Sequence, residues 1–175
     1  MGWSGGPAER EQRVAVVRDA WISAYAHIFT RAEIEGIFDG ALEAQGSWVS
    51  ARLAPAGTLA ARLDGRLVGV ADLGMLRSGD GELAGFYVRP EHQGRGIGTA
   101  LWERAVAELS GRGCRRMEVW TLARAPARHF YEARGAVAEG QGAFFVAGHR
   151  EPAVGYVLDI SRARGAGLGP STPTR

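Results

Sequence analysis

Seven consecutive residues, Gln93 to Thr99, carry a glycine at every second position, and a loop of this kind can bind phosphate. Glycine lets backbone N–H groups turn toward a ligand with no Cβ in the way. Apolar residues then recur at Ile97, Leu101, Ala105 and Leu109, a spacing that predicts an amphipathic helix starting at the loop. Because the N-terminus of a helix attracts anions, the sequence predicts a cradle for a pyrophosphate group.

Two common nucleotide-binding motifs do not fit this loop. A dinucleotide fingerprint has glycines at the first, third and sixth positions, directly after the first strand of a domain. Counted from Gly94, the sixth position is Thr99. A P-loop requires a lysine, and the chain has none, since all 21 basic residues are arginines. Both nucleotide-binding folds are therefore excluded.

Two segments resemble the GNAT superfamily of acetyltransferases. In the first, Gln93, Gly96 and Gly98 match the family signature Gln/Arg-x-x-Gly-x-Gly/Ala, which follows a strand ending in a proline-containing bend, here Arg89-Pro90. In the second, residues 127–135 resemble the family's downstream helix with its Phe-Tyr-Glu-x-x-Gly ending. The segments occur in the family's order and at family-like spacing, and the likeness as a whole covers roughly residues 14–160.

The resemblance implies that the protein uses acetyl-CoA as co-substrate and transfers the acetyl group directly to an amine acceptor. Backbone groups of Phe86, Tyr87 and Val88 would pair with the pantetheine amides, as an added strand pairs with a sheet edge. Arg124 stands where relatives often carry an asparagine that contacts coenzyme A, so either it reaches a phosphate or the contact is lost. The residues that would hold the pyrophosphate are Gln93, Gly94, Arg95, Gly96, Ile97, Gly98 and Thr99.

The same resemblance assigns the catalytic roles. Tyr131 corresponds to the family's general acid, which protonates the departing thiolate. Glu82 lies eleven residues before Gln93, the spacing of the catalytic glutamate in the histone-acetylating branch, and is the candidate base. The alternative is a solvated glutamate at a strand end, with ordered water accepting the proton of the amine. Cys114 has no recognisable histidine partner, which favours transfer without an acyl-enzyme. The four histidines lack metal-binding spacing, so no metal site is expected.

The acceptor cannot be identified from the sequence. Trp21, Tyr25, Trp48 and Trp120 either line an acceptor pocket or belong to the core. Small amines, amino acids, antibiotics, protein N-termini and lysine side chains all fit the predicted chemistry. Two alternatives stay open for the protein as a whole: a sensor domain that binds acetyl-CoA without turnover, and an enzyme that uses a longer acyl-CoA.

The elements that must position these residues follow the order α-α-β-β-β-α-β-α-β-β. Thr30 and Glu33 form a capping box that predicts the start of the second helix, and Asp64-Gly65 predicts a type I′ turn between the first two strands. Pro55 to Gly57 predicts a loop, and the last two strands are expected near residues 143–147 and 153–160. We therefore expect an α+β, GNAT-like domain over residues 9–160. Its sheet is mixed and mostly antiparallel, with helices on both faces.

The composition limits which other classes of protein and which partners are possible. The 175 residues are 46% hydrophobic, which supports one packed domain. The isoelectric point is about 9.1, but three arginines and no acid lie in residues 161–175, which leaves 18 basic and 19 acidic residues elsewhere. A nucleic-acid partner is therefore not expected. The absence of a membrane-length apolar run or a signal pattern predicts no membrane association and a cytoplasmic protein, and the single cysteine fits a reducing compartment.

Two expectations concern the ends of the fold. Residues 161–175 contain clustered Gly, Pro, Ser and Thr without apolar periodicity, so we expect a disordered tail. The N-terminal residues are too polar and Gly-rich to form a strand before the first helix. The first hairpin strand should then be an exposed edge, which a homodimer or the tail could cover.

Overall fold

A computed structural model describes residues 7–38 and 54–162. The helices within these residues are α1 (Pro7–Tyr25), α2 (Arg31–Phe38), α3 (Ile97–Gly111) and α4 (Ala127–Glu132). The strands are β1 (Ala54–Leu63), β2 (Arg66–Met75), β3 (Gly81–Val88), β4 (Arg116–Leu122), β5 (Val137–Val146) and β6 (His149–Asp159). The predicted order of elements is confirmed. Trp48 and residues 163–175 of the predicted tail lie outside the described residues.

Helix α2 begins at the predicted capping box. The backbone N–H of Thr30 donates to Oε2 of Glu33 at 2.7 Å, and the backbone N–H of Glu33 donates to Oγ1 of Thr30 at 3.3 Å. This reciprocal pattern satisfies two N–H groups that the first turn of a helix leaves without partners. Ile34 and Phe38 of the helix lie in one buried cluster with Trp21 of α1, so the box fixes α2 beside α1.

Strands β1 and β2 form the predicted hairpin. Asp64 and Gly65 have φ values of 49° and 76°, the positive values that a type I′ turn requires. The prediction of a loop at Pro55 to Gly57 is wrong, because β1 begins at Ala54. The pairing of β1 with β2 is irregular between Pro55 and Gly57, and β1 lies at an edge of the sheet. A proline is tolerated there because an edge strand does not need every N–H as a donor.

The six strands form one sheet in the order β1-β2-β3-β4-β6-β5. β3 and β4 pair in parallel, and the other neighbouring pairs are antiparallel. The expected α+β fold with a mixed, mostly antiparallel sheet is therefore confirmed, as is the edge position of the first strand. The last hairpin is longer than predicted, since β5 begins at Val137 and β6 at His149.

Helices cover both faces of this sheet. On one face, α3 buries Leu101 and Leu109 in the main core together with Leu83 of β3 and Met117 of β4. On the other face, α1 packs across β2 and β3, with Val16 fully buried. The predicted arrangement of helices on both faces is confirmed, and the two sides are called the α3 face and the α1 face below.

A buried polar contact fixes α1 against the sheet. The carboxylate of Asp72 in β2 accepts a hydrogen bond from Oγ1 of Thr58 at 2.7 Å and pairs with Arg13 of α1. Asp72 is buried, so the pairing offsets the cost of removing its charge from water. Gly85 of β3 leaves room for this carboxylate, since a Cβ at Gly85 would lie 2.6 Å from Oδ2 of Asp72. Helix α1 is therefore held where it borders β3.

Strands β3 and β4 are paired only at their first residues. Gly81 pairs with Met117 and Glu82 with Glu118, and no later pair joins the two strands within the described residues. The ladder between β2 and β3 is also irregular at this point, where Leu83 and Gly85 have partners and Ala84 has none. From Leu83 onward, the side of β3 that faces β4 therefore presents its backbone N–H and C=O groups to a gap.

Candidate functional site

The gap between β3 and β4 is part of a cavity of about 650 Å³. Its wall is formed by α1, β3, the loop before α3 with the start of that helix, β4 and α4. A volume of this size is typical of small-molecule sites. Because the cavity passes between two parted strands, it connects the α1 face of the sheet with the α3 face.

The glycine loop forms one end of the cavity. Gly94 and Gly96 have φ values of 71° and 82°, a backbone conformation that glycine adopts without strain. Gly96 is the N-cap of α3, and the first hydrogen bond of the helix runs from Ala100 N–H to the Gly96 carbonyl at 2.9 Å. The N–H groups of Ile97, Gly98 and Thr99 precede it and have no acceptor within the helix. The backbone of this loop therefore has the free N–H donors that an anion site requires.

The loop is tied to the end of β3 by Gln93. Its side-chain Nε2 donates to the carbonyl oxygen of Val88 at 3.0 Å. Phe86, Tyr87 and Val88, the predicted contacts of the pantetheine, line the cavity on the stretch of β3 that β4 leaves unpaired. The cradle and the open edge of β3 are thus continuous.

Tyr131 lies on the wall between the two ends. Its side chain is only 4% exposed, and its ring stacks on Trp102 at 5.7 Å between centroids with 25° between planes. Burial raises the pKa of the Tyr131 hydroxyl above its ordinary value, so the phenol is protonated at neutral pH. No hydrogen bond to this hydroxyl is made by the described residues. A buried hydroxyl that keeps its proton can act as an acid.

A second buried tyrosine has a different environment. The hydroxyl of Tyr156 accepts from Nε of Arg128 at 2.8 Å and donates to Oε1 of Glu132 at 2.7 Å. The rings of Tyr156 and Tyr131 lie 5.9 Å apart. Both bonding partners of Tyr156 are on α4, so this hydroxyl links α4 to β6.

Arg134 is a site residue that the sequence analysis missed. Its Nη2 donates to Oγ1 of Thr99 at 2.6 Å, and its guanidinium lies 3.4 Å from the centre of the Phe130 ring. Arg134 lines the cavity and is the one charged side chain on the described part of the wall. In the sequence, Arg134 lies directly before Gly135, the glycine that closes the second motif. That position, just after the end of α4, could have indicated a residue near the glycine loop.

Several predicted residues do not line the cavity. Glu82 lies where β3 is still paired with β4, at the closed end of the gap. The guanidinium of Arg124 bonds to Glu151 at 2.8 Å, away from the cradle. Arg95 is exposed on the loop, and the side chain of Ile97 packs against the main core. The structure therefore brings the cradle, β3 and Tyr131 together but does not bring Glu82 or Arg124 to them.

The described residues at the α1 end of the cavity are uncharged, and three of them are aromatic. Trp21 and Tyr25 of α1 and Trp120 of β4 line it; they are three of the four aromatic residues expected either in an acceptor pocket or in the core, and Trp21 also belongs to a buried cluster. Burial raises the pKa of the Tyr25 hydroxyl, an effect that its hydrogen bond with Thr121 partly offsets. This end differs from the cradle end, where Arg134 supplies a positive charge.

No Cys, His, Asp or Glu lines the described wall, so the hydroxyl groups on it have no carboxylate or imidazole beside them as a base. Cys114 is fully buried elsewhere, with Sγ 3.5 Å from Sδ of Met75. Across residues 7–38 and 54–162, no group of three His, Cys, Asp or Glu side chains could hold a metal ion. No helix in these ranges is both long and apolar enough to span a bilayer.

Solved structures share this fold. A GCN5-related N-acetyltransferase from Rhodopseudomonas palustris aligns with a TM-score of 0.65 at 21% identity, over 89% of this chain and 92% of that one. The PaiA N-acetyltransferase of Thermoplasma acidophilum, solved in complex with coenzyme A, aligns with a TM-score of 0.63 at 16% identity, over 91% of this chain and 98% of that one. An N-acetyltransferase from Staphylococcus aureus Mu50 aligns with a TM-score of 0.60 at 18% identity, over 91% of this chain and 98% of that one. A search of curated protein sequences found no match.

The fold and the cavity define a class of protein in which a glycine loop at the start of a helix adjoins a cavity between two parted strands. The sequence profile of the acetyltransferase (GNAT) family matches residues 19–136, more than half of the chain. The chain therefore belongs to the GNAT family of acetyltransferases, as the two sequence motifs indicated.

Proposed function

We propose that the protein is an acetyl-CoA-dependent N-acetyltransferase that transfers the acetyl group directly to a primary amine. The observation that carries the proposal is one continuous cavity that joins the glycine cradle, the open edge of β3 and the protonated hydroxyl of Tyr131. Family membership supports the acetyl donor. The related fold from Thermoplasma acidophilum, which contains coenzyme A, supports the same class of ligand.

The residues present fit coenzyme A along its length. The backbone N–H groups at the start of α3 suit a pyrophosphate, and Arg134 lies beside them to pair with a phosphate oxygen. The unpaired N–H and C=O groups of β3 from Leu83 onward suit the two amides of pantetheine, which can bind as an added strand. Tyr131 lies beyond them on α4, so an extended donor would present its thioester near this hydroxyl.

In this proposal, acetyl-CoA supplies an activated thioester carbonyl. The nitrogen of the amine forms a bond with the carbonyl carbon, the C–S bond breaks, and the electron pair leaves on sulfur. Tyr131 donates its proton to that sulfur and is reprotonated from solvent. Water accepts the surplus proton of the amine, because no carboxylate or imidazole lines the described wall. The protein contributes mainly by holding donor and acceptor together.

Direct transfer is preferred to a covalent acyl-enzyme. The single cysteine, Cys114, is fully buried and away from the cavity. The hydroxyl groups of Ser23, Thr99 and Thr121 line the described wall, but no histidine or carboxylate lines it with them to activate a nucleophile.

The proposal is tested by binding and by turnover. Acetyl-CoA at about a hundred times its Kd should stabilise the fold by roughly 2.7 kcal/mol, and NAD at the same concentration should do much less. Release of coenzyme A with a panel of primary amines should then follow, measured with a thiol reagent. If acetyl-CoA stabilises the fold but no amine causes release of coenzyme A, the sensor alternative is favoured. If NAD stabilises the fold and acetyl-CoA does not, the glycine loop is not a site for coenzyme A.

A further inference from the structure

The α1 end of the cavity lies between two walls that are far apart in the sequence. Tyr25 of α1 belongs to one wall, and Thr121 of β4 with Pro126, in the loop after β4, belongs to the other. In the proposed function the donor occupies the glycine loop and the open edge of β3, which leaves this end to the amine. The separation of the two walls therefore determines how closely the amine is held to the thioester.

Arg124 joins the loop between β4 and α4 to two other parts of the fold. Its carbonyl oxygen accepts a hydrogen bond from Nε2 of His27 at 3.0 Å, and His27 lies in the segment that follows α1. Its guanidinium Nη2 donates to Oε2 of Glu151 in β6 at 2.8 Å. The backbone of this one residue thus contacts the segment after α1, and its side chain contacts the last hairpin.

The ion pair between Arg124 and Glu151 begins where the backbone pairing of β4 with β6 ends. The backbone N–H of Ala123 donates to the carbonyl oxygen of Pro152 at 2.8 Å, and Arg124 is the next residue. The side chain of Glu151 is only 15% exposed, whereas that of Arg124 is 54% exposed. Among the described residues, no other side chain forms a salt bridge or a hydrogen bond with the Glu151 carboxylate. A shielded carboxylate is costly without a partner, so this pair holds the loop more firmly than an exposed pair would.

The segment between α1 and α2 packs against the same loop and hairpin. Phe29 of this segment is buried in one cluster with Leu122 and Ala125, which lie on either side of residue 124. Nε2 of His149, at the start of β6, donates to Oε1 of Glu33 in α2 at 2.8 Å. Together with the two contacts of the loop, these interactions fix the distance between α1 and the loop.

We propose that Arg124 is a positioning residue for the amine acceptor. Through Glu151 on one side and His27 on the other, it holds the loop that carries Pro126 at a set distance from Tyr25. Arg124 itself does not line the cavity, so it acts on the amine through this loop. The inference gives a role to the arginine that stands where relatives often carry an asparagine. It rests on the proposed function, because it concerns the second substrate of the same cavity.

The test compares the full-length parent protein with Arg124→Asn, which introduces the residue that relatives often carry. Release of coenzyme A is measured at saturating acetyl-CoA with n-butylamine, 2-phenylethylamine and glycinamide. For each amine that is acetylated, KM should rise by about fivefold with little change in kcat, because a displaced loop weakens the hold on the amine before and during the reaction alike. That factor is smaller than the roughly tenfold effect of a hydrogen bond to a charged group, since Arg124 is half-exposed. The Kd of acetyl-CoA should not change.

Further variants locate the effect in the ion pair. Glu151→Gln removes the charge of the other partner and should raise KM by a similar factor, and the double variant should be no worse than either single one. Arg124→Lys keeps the positive charge and should restore most of the parent KM. Arg116→Asn is the matched control, because it removes an exposed ion pair with Glu139 at the opposite end of β4. It should leave KM unchanged.

The outcomes separate this inference from the function on which it rests. An unchanged KM in Arg124→Asn, or an equal rise in Arg116→Asn, overturns the positioning role and leaves the acetyltransferase intact. A weaker Kd of acetyl-CoA in Arg124→Asn with the same KM for the amine assigns the residue to the donor and also overturns it. If Arg124→Asn does not fold, Glu151→Gln decides by the same criteria. Absence of release from the parent protein with every amine overturns the proposed function itself.

Discussion

Replacement of Tyr131 by phenylalanine removes a single O–H group from the centre of the cavity. The ring is 4% exposed and keeps its contacts with Trp102, Phe86 and Phe130, all of which involve the aromatic carbons. The hydroxyl makes no hydrogen bond with the described residues. The free energy of unfolding should therefore change by less than about 1 kcal/mol. The Kd of acetyl-CoA should hardly move, because the ring remains on the wall.

The rate should respond differently. General-acid catalysis contributes about a hundredfold at the low end, so kcat should fall by about two orders of magnitude, equivalent to about 2.7 kcal/mol of transition-state stabilisation. Burial raises the pKa of Tyr131, so the parent enzyme keeps its acid protonated from about pH 6 to about pH 9 and should show no loss of activity from this group there. Higher pH should not restore the variant, since it does not help a thiolate to leave.

Tyr156→Phe is the matched control in the same aromatic cluster. It removes the hydroxyl that accepts from Arg128 and donates to Glu132, so it should cost about 2 kcal/mol of stability while most of the rate is retained. Tyr131→Phe should therefore lose rate and keep stability, whereas Tyr156→Phe should lose stability and keep most of its rate. Stability is measured by chemical denaturation and the rate by single-turnover release of coenzyme A. Full single-turnover activity in Tyr131→Phe would refute the acid role and leave Tyr131 as a packing residue.

Three other changes test the rest of the site. Gly96→Val forces a β-branched side chain into a φ of 82°, so the Kd of acetyl-CoA, measured by calorimetry, should rise; Gly111→Ala at the other end of α3 should leave it unchanged. Arg134→Ala removes the charge beside the cradle and should weaken acetyl-CoA binding by at least about tenfold, with a smaller dependence of Kd on salt. Glu82→Gln should keep most of kcat/KM at every pH, because water accepts the proton in our proposal. A loss in Glu82→Gln that recovers as the pH rises would show instead that Glu82 is the base.

The features that the sequence predicted correctly depend on contacts within a few residues. The capping box of Thr30 and Glu33 and the turn at Asp64-Gly65 are set by the local backbone, so residue type and spacing were enough. The positive φ values of Gly94 and Gly96 are local in the same sense, because each is a property of its own residue. The loop expected at Pro55 to Gly57 was wrong because its strand identity comes from pairing with β2.

The early part of β5 was missed for a related reason. Gly140 and Gly142 weaken the strand pattern in the sequence, and only the structure shows what they accommodate, the indole of Trp120 two strands away. Arg134 was missed because its partner Thr99 is 35 residues distant. In both cases the signal is a tertiary contact, and spacing along the chain carries no information about it.

The position of Glu82 shows that a spacing along the chain does not by itself place a side chain on the cavity wall. The offset of eleven positions from Glu82 to Gln93 is fixed along the chain, but whether a β3 side chain reaches the cavity depends on where β4 separates from β3. That separation begins after Glu82, and the irregular pairing at Ala84 follows it. A side chain at Glu82 therefore lies beside the last paired residues, while the wall begins at Leu83. Because no carboxylate lines the described wall, our proposal assigns the proton of the amine to water and not to Glu82.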